Sequence, residues 1–312
     1  KEEELKICHK DLAYSIQSTY EKLFFNYLNK AYEKYKIPRL TLSGGCAMNS
    51  VANGKIYRNT KFRKAYIQAA AGDAGGAIGA AFQTAIENGA DHKSLSMAHA
   101  YWGPSFENKE IQKILNEKKD IFKKNVLSIK KIEEKTELCS TIAKKIFEGH
   151  VVGWFQGKME WGPRALGNRS ILCDPRNPEM KNIINSKIKR RESFRPFAPS
   201  ILRDKVKDWF EEDDNVPFMM KVFQIKESKR KIIPAVCHLD GSGRLQTVEN
   251  EQNNIYYLLI SEFEKLSGVP ILLNTSFNEN EPVVCRPEEA LNTFLRTNMD
   301  CIVLGNWIIS RQ

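Results

Sequence analysis

The sequence predicts an α/β protein built from two units. Three observations carry that reading. Apolar runs of strand length alternate with stretches whose apolar residues recur every three or four positions. Glycine-rich turns join the two kinds of segment at Ser43–Asn49, Gly72–Gly79 and Gly157–Gly167. A chain of 312 residues is long enough for two cores, and Ala90–Ala100 reads as the connection between them. The boundary is placed near residue 100, giving units 1–100 and 101–312.

Taken in order, residues 12, 16, 20, 23, 24, 27, 28, 31, 32 and 35 are apolar or aromatic, which predicts one long amphipathic helix over Leu5–Tyr35. Pro38 ends it. Leu40–Leu42 is a short strand that turns through Gly44, Gly45 and Asn49 into a helix. Ala65–Ala71 is a second strand, and Asp73, Gly75 and Gly76 turn it into the helix Ala77–Glu87. A strand delivering glycines to a helix start is a ready anion site, because free N–H groups and the helix dipole point the same way. Asp73 reads equally as a helix N-cap. Neither turn has the spacing of a P-loop or of a dinucleotide-binding fingerprint.

Tyr101–Phe106 breaks any helix, and Asn108–Lys118 and Thr136–Glu148 resume one. The lysines over Lys109–Lys135 read as solvated helix faces. Two strands, Val151–Phe155 and Ser170–Cys173, flank Gln156–Arg169, which carries Lys158, Glu160, Arg164, Asn168 and Arg169 among its glycines. That is too polar for a plain hairpin. Pro178–Ile188 reads as a helix running into the cations Lys187, Lys189, Arg190 and Arg191. Arg195–Leu202 is an apolar strand, and the spacing of Lys189 and Arg195 suits a turn that aims both at one pocket. Phe218–Ile225 reads as a strand, and a glycine turn over Cys237–Gly243 lifts Arg244 into the next one. Asn253–Leu266 is helical. Pro270–Phe277 is a buried strand presenting Asn274 and Ser276 at its end, where α/β folds hold ligands. The helix Pro287–Arg296 and the strands Cys301–Leu304 and Trp307–Ile309 close the chain.

The totals exclude several classes. Charged residues at 28% and hydrophobic residues at 42% are ordinary for a globular protein, and no apolar run reaches membrane-spanning length. Seven scattered cysteines form no C-x-x-C pair, which reads as reduced thiols in a cytoplasm. The chain opens on Lys1 and three glutamates, as expected of a fragment or a processed chain. A net charge of +10 points to anionic partners without choosing among nucleotides, phosphorylated metabolites and nucleic acid. None of the five histidines has helical metal-pair spacing, and each reads as structural. Nothing resembles a Ser-His-Asp relay. The inventory of Arg164, Lys189, Arg195 and Arg244 with Asn274 and Ser276 favours electrostatic catalysis on a polyanion.

The stretches GWFQGKMEWGPRALGNRSILCDPR, KRRESFRPFAPSIL, HLDGSGRLQTV and PILLNTSFNENEPVV, in that order, resemble the O-carbamoyltransferase family of nodulation and antibiotic-tailoring enzymes. LSGGCAMNSVANGKI and AAGDAGGAIGAA resemble the end of that family's other domain. The resemblance implies a partial actin-like ATPase-fold subdomain over 1–100 and a YrdC-like domain over 101–312. The second would make carbamoyl adenylate from carbamoyl phosphate and ATP with Mg2+. The first would pass the carbamoyl group to a hydroxyl of a small-molecule acceptor. Carried over by position, Lys189, Arg244 and Ser276 are catalytic, and Arg164, Arg169, Arg195 and Asn274 bind the adenylate. Gly44, Gly45, Asn49, Gly75 and Gly76 line a nucleotide site beside Asp73, a ligand of Fe2+ or another divalent metal whose remaining ligands lie outside this chain. A nucleic-acid partner is disfavoured and a homodimer stays open. The rival readings are a nucleotide- or RNA-binding module of tRNA modification, with Lys187, Arg190 and Arg191 facing outward, and a non-catalytic nucleotide-binding module.

Overall fold

The computed structural model describes residues 5–190, 192 and 194–311. The first helix, Ile7–Tyr35, ends where Lys36 turns left-handed and its N–H bonds Tyr32 O at 2.7 Å, two residues ahead of Pro38. Phe24, Phe25 and Tyr32 pack with Leu28, Ile56 and Phe62, but Leu12, Ile16 and Leu23 on the same helix are exposed. Two strands follow, β1 (Arg39–Leu42) and β2 (Lys64–Ile67), paired in parallel with Leu40 opposite Ala65. The helix Gly75–Glu87 comes after β2.

A mixed eight-stranded sheet dominates the remainder. Its strands are β3 (Leu127–Lys131), β4 (Val152–Phe155), β5 (Arg169–Cys173) and β6 (Ala198–Leu202), then β9 (Gln246–Val248), β10 (Ile271–Ser276), β11 (Cys301–Leu304) and β12 (Trp307–Arg311). The short β7 (Phe223–Gln224) and β8 (Ser242–Gly243) form a separate antiparallel pair. The sheet order is β3-β12-β11-β4-β5-β10-β6-β9. Pairs β4–β11 and β6–β9 are parallel and the others antiparallel. Every residue of β4, β5, β6 and β11 is buried, which is why these segments read as unbroken apolar runs rather than alternating ones. The helices Lys135–Phe147 and Asn254–Ser267 pack on each other, and Pro287–Arg296 packs on β4 and β11.

The two parts share a core. Ala47, Ile67, Ala69 and Met97 pack with Leu166, Ala198, Phe218, Met219 and Met220. Buried Asn53 donates from Nδ2 to Ala47 O at 2.8 Å and Met220 O at 3.0 Å. Nearby, Tyr57 and Lys221 both donate to Asp214 Oδ2, and Lys221 Nζ lies 2.8 Å from Tyr57 Oη. Burial pulls the Lys221 pKa down, against the pull of Asp214.

Local differences from the sequence reading have local causes. The second strand stops at Ile67, and Ala69, Ala70 and Ala71 are buried in the turn that follows, so their apolar character reflects the shared core. Pro178–Ile188 is not one α-helix: Met180–Ile184 is α-helical, and Asn185–Lys189 widens into a π turn. Of Phe218–Ile225, Phe223–Gln224 alone is strand, because Met219 sits at φ 55°. Within Lys109–Lys135 lies a strand missed in the sequence, β3, an exposed edge rich in lysine. Arg244 lies between β8 and β9 and in neither.

Candidate active site at one end of the sheet

Sheet topology explains which residues meet. Strand β10 runs antiparallel to β5 and β6, with Ser276 opposite Ser170 and Asn274 opposite both Leu172 and Ala198. Strand β9 runs parallel to β6, with Gln246 opposite Ser200. The last residues of β10 and the first residues of β5, β6 and β9 therefore share one end of the sheet. Arg164 precedes β5, Arg195 precedes β6, Arg244 precedes β9, and Ser276 closes β10.

Lys189 comes to this end from the π turn. Its side chain is buried, and Nζ donates to Ser276 O (2.6 Å), Ser276 Oγ (3.2 Å), Asn278 O (2.7 Å) and Asn278 Oδ1 (2.7 Å). Ser276 Oγ donates to Asn278 Oδ1 at 2.7 Å. Arg190 turns left-handed at φ 41° and donates its N–H to Asn185 O at 2.8 Å, which closes the π turn and sets the ammonium. Asn274 is buried, with Nδ2 bonded to Ala165 O, Ser200 Oγ and Gln246 Oε1 at 3.0–3.2 Å. Asn274 thus ties β10 to β6, to β9 and to the glycine loop.

The loop between β4 and β5 is folded around a residue whose role the sequence reading missed. Glu160 Oε1 accepts the N–H groups of Leu166 (2.7 Å), Asn168 (2.8 Å) and Arg169 (3.2 Å). A carboxylate ahead of a glycine turn, whose N–H groups need an acceptor, was the available signal. Gly167 sits at φ 104° with the Tyr256 ring where a Cβ would be, so the chain can pass only as glycine. Arg164 projects from this loop half-buried. Its Nε is buried with no hydrogen-bond partner, and no carboxylate pairs with it among the described residues. Burial draws its pKa down.

Two predicted binding residues are placed differently. Arg169 is fully buried, with its guanidinium 3.6 Å above the Phe155 ring centroid. It donates to the main-chain oxygens of Gln156, Asn168, Pro104 and Gly157 at 2.5–3.2 Å. Its donors are directed into the loop, because five N–H groups on a planar fork suit several carbonyls at once. Burial brings its pKa down to about 10, so it stays charged. Arg195 is exposed and pairs with Glu192 at 2.9 Å. The cationic run is also partly neutralised: Lys187 pairs with Asp300 at 2.7 Å and Arg190 with Glu279 at 3.4 Å. Arg191 lies outside the described residues.

The glycine turns of the first part face this loop. Gly72, Asp73 and Ala74 line a cavity of about 370 Å³ together with Met48, Ala70 and Trp161–Pro163. Nothing approaches the open sides of Gly44, Gly45 and Gly76, whereas Gly75 is pressed against Gln68 and Ala70 O. Asn49 is engaged locally, accepting Ala52 N–H at 3.1 Å and donating to Gln17 Oε1 at 2.9 Å. Asp73 is exposed and caps nothing, since Ala74 holds the N-cap position of Gly75–Glu87. Among the described residues no three His, Cys, Asp or Glu side chains gather to hold a metal.

Fold and site together define an α/β protein whose main sheet gathers basic and amide side chains at one end. Residues 143–311 match the family described as Carbamoyltransferase C-terminus, and residues 1–82 match Carbamoyltransferase N-terminus. The chain belongs to the carbamoyltransferase family. It is 43% identical to an uncharacterised protein of Synechocystis sp., over 96% of this chain and 52% of that protein. It is 42% identical to nodulation protein NolNO of Sinorhizobium fredii, over 97% of this chain and 44% of that one. With nodulation protein NolO of Bradyrhizobium diazoefficiens the figures are 39%, 97% and 55%. The chain thus spans about half the length of the curated relatives it matches. Full-length HypF in its phosphate- and nucleotide-bound form aligns at a TM-score of 0.39 and 19% identity, over 60% of this chain and 22% of that one. Among the described residues no helix is long and apolar enough to cross a membrane.

Proposed function

We propose that this chain carries the adenylate-forming site of an ATP-dependent O-carbamoyltransferase. In this reading residues 101–312 are a YrdC-like domain that converts carbamoyl phosphate and ATP to carbamoyl adenylate. The carbamoyl group then passes to a hydroxyl of a small-molecule acceptor at a site to which residues 1–100 contribute. The observation that carries the reading is Lys189, a buried ammonium fixed against Ser276 and Asn278 at the sheet end where β5, β6 and β9 begin. Water splits carbamoyl phosphate into carbamate and inorganic phosphate; a carbamate oxygen then bonds to the α-phosphorus of ATP as pyrophosphate leaves, which concentrates negative charge on oxygen. Cations held in place before the reaction stabilise that charge without reorganising. Arg164, with its buried and unpartnered Nε, and Arg244 add forked donors that match phosphate oxygens in pairs. Ser276 Oγ, already polarised by Lys189, orients the carbamoyl group.

The test is incubation with carbamoyl phosphate, ATP and Mg2+, followed by mass spectrometry. Carbamoyl adenylate is expected from the native chain and is expected to vanish in Arg244→Ala. Tight ATP binding with no adduct would leave a nucleotide-binding module and overturn the proposal.

A further inference from the structure

The turn before Arg244 contains a chain of three side chains. Ser242 Oγ donates to Asp240 Oδ1 at 2.6 Å and lies 3.0 Å from His238 Nδ1. A hydroxyl has one proton, and here Asp240 receives it, so the second contact requires the hydrogen to sit on Nδ1. In a neutral imidazole that leaves Nε2 as a bare acceptor. His238 Nε2 is buried, and it has no hydrogen-bond partner among the described residues.

The ring is held by its backbone as well. His238 donates its N–H to Ser242 O at 2.8 Å, its own carbonyl accepts Gly241 N–H at 3.0 Å, and Gly241 O accepts Ile225 N–H at 3.0 Å. The Arg230 guanidinium fills the space beside Gly241, which sits at φ 79°. Burial is the main force keeping the ring uncharged and holds its pKa down at about 4. Arg244 and Lys181 push the same way, and Asp240 opposes them. The ammonium of Lys181 is engaged with Cys237 O at 3.1 Å. A buried acceptor locked in one tautomer, within electrostatic reach of Arg244, calls for a donor from outside the fold.

We propose that His238 Nε2 accepts a hydrogen bond from an N–H group of the substrate held at Arg244, with Ser242 and Asp240 as its positioning residues. The inference rests on the adenylate-forming reading, whose substrates offer two such groups, the carbamoyl amide and the exocyclic amine of adenine. Phosphate oxygens offer none, so this acceptor discriminates where the cations do not.

Calorimetric titration of the full chain with ATP and with carbamoyl phosphate tests it without turnover. His238→Ala is expected to weaken one of the two by about fivefold to tenfold, the size of one neutral hydrogen bond, and to leave the other within twofold. His238→Gln, whose Oε1 is an acceptor, is expected to recover part of the loss. Ser242→Ala, which frees the ring without removing it, should shift the same ligand by a smaller factor. Purine riboside triphosphate and acetyl phosphate, which lack the respective amines, identify the donor: native chain and His238→Ala should bind the relevant one equally. Equal weakening of a ligand and its amine-free analogue, or no change beyond twofold for either ligand, would overturn the assignment. A native chain that forms no adduct, yet loses ATP affinity selectively in His238→Ala, would sink the catalytic reading and keep His238 in place. A native chain that binds neither ligand would overturn both.

Discussion

Lys189 and Ser276 meet twice: the ammonium donates to the main-chain oxygen of Ser276 at 2.6 Å and to its hydroxyl at 3.2 Å. Residues far apart in sequence are joined there because a π turn rotates Lys189 inward just where β10 ends. The contact makes Lys189 structural and functional at once. Hydrogen bonds to a charged group contribute about 1.5–3 kcal/mol, so Lys189→Ala should lower unfolding free energy by about 2–3 kcal/mol and shift the urea midpoint. In the protein that remains folded, carbamoyl adenylate formation should fall by more than about a hundredfold. A variant with native stability and native rate would remove Lys189 from the site.

Arg164 gives the opposite stability signature. Among the described residues its Nε is buried without a hydrogen-bond partner and no carboxylate pairs with it, so its removal breaks no such contact. Arg164→Ala should leave the unfolding free energy within about 0.5 kcal/mol of native. Adduct formation should drop by about 10²–10³, the range for losing one preorganised donor at a developing charge. A clear loss of stability with an unchanged rate would make Arg164 a packing residue.

Glu160 and Arg169 hold the loop that presents Arg164. Three N–H groups end on one Glu160 oxygen, and an unsatisfied buried donor costs about 1–3 kcal/mol. Glu160→Ala should therefore lower the melting temperature by several degrees. Arg169→Lys should do the same, since an ammonium cannot span four carbonyls and stack on Phe155. Neither variant should change the KM for ATP in the fraction that stays folded. A raised KM in Arg169→Lys at native stability would restore Arg169 to the binding site.

Much of the fold was legible because the inner strands of the sheet are buried on both faces. Val151–Phe155 and Pro270–Phe277 announce themselves as apolar runs ended by glycine or asparagine. What stayed hidden depends on partners distant in sequence. The run Ala69–Ala71 is apolar because Leu166 and Phe218–Met220 cover it, so period alone could not tell turn from strand. Arg164 and Arg169 occupy one loop and look equivalent in the sequence. One projects half-buried from the loop, and the other is fully buried and locked under four carbonyls because the loop closes on Glu160. His238 read as structural beside Cys237, and only the Ser242–Asp240 contact reveals a bare buried nitrogen.

That half-buried imidazole also has a signature in stability. His238 titrates at about 4 in the folded chain, held down chiefly by burial, against the usual value of about 6.5 in an unfolded one. Between those values the unfolded chain binds the proton and the folded chain does not. Stability contributed by the neutral ring is therefore fully present above about pH 6.5, falls as pH drops toward 4, and changes no further below it. His238→Gln removes the titrating group from both states. Urea unfolding at steps between pH 4 and pH 7 should show a steeper fall for the native chain than for His238→Gln, with the two slopes equal above pH 7. Parallel slopes throughout would mean that the ring is solvated and protonates freely. A solvated Nε2 already has water as its partner, and the acceptor assigned to it would be lost as well.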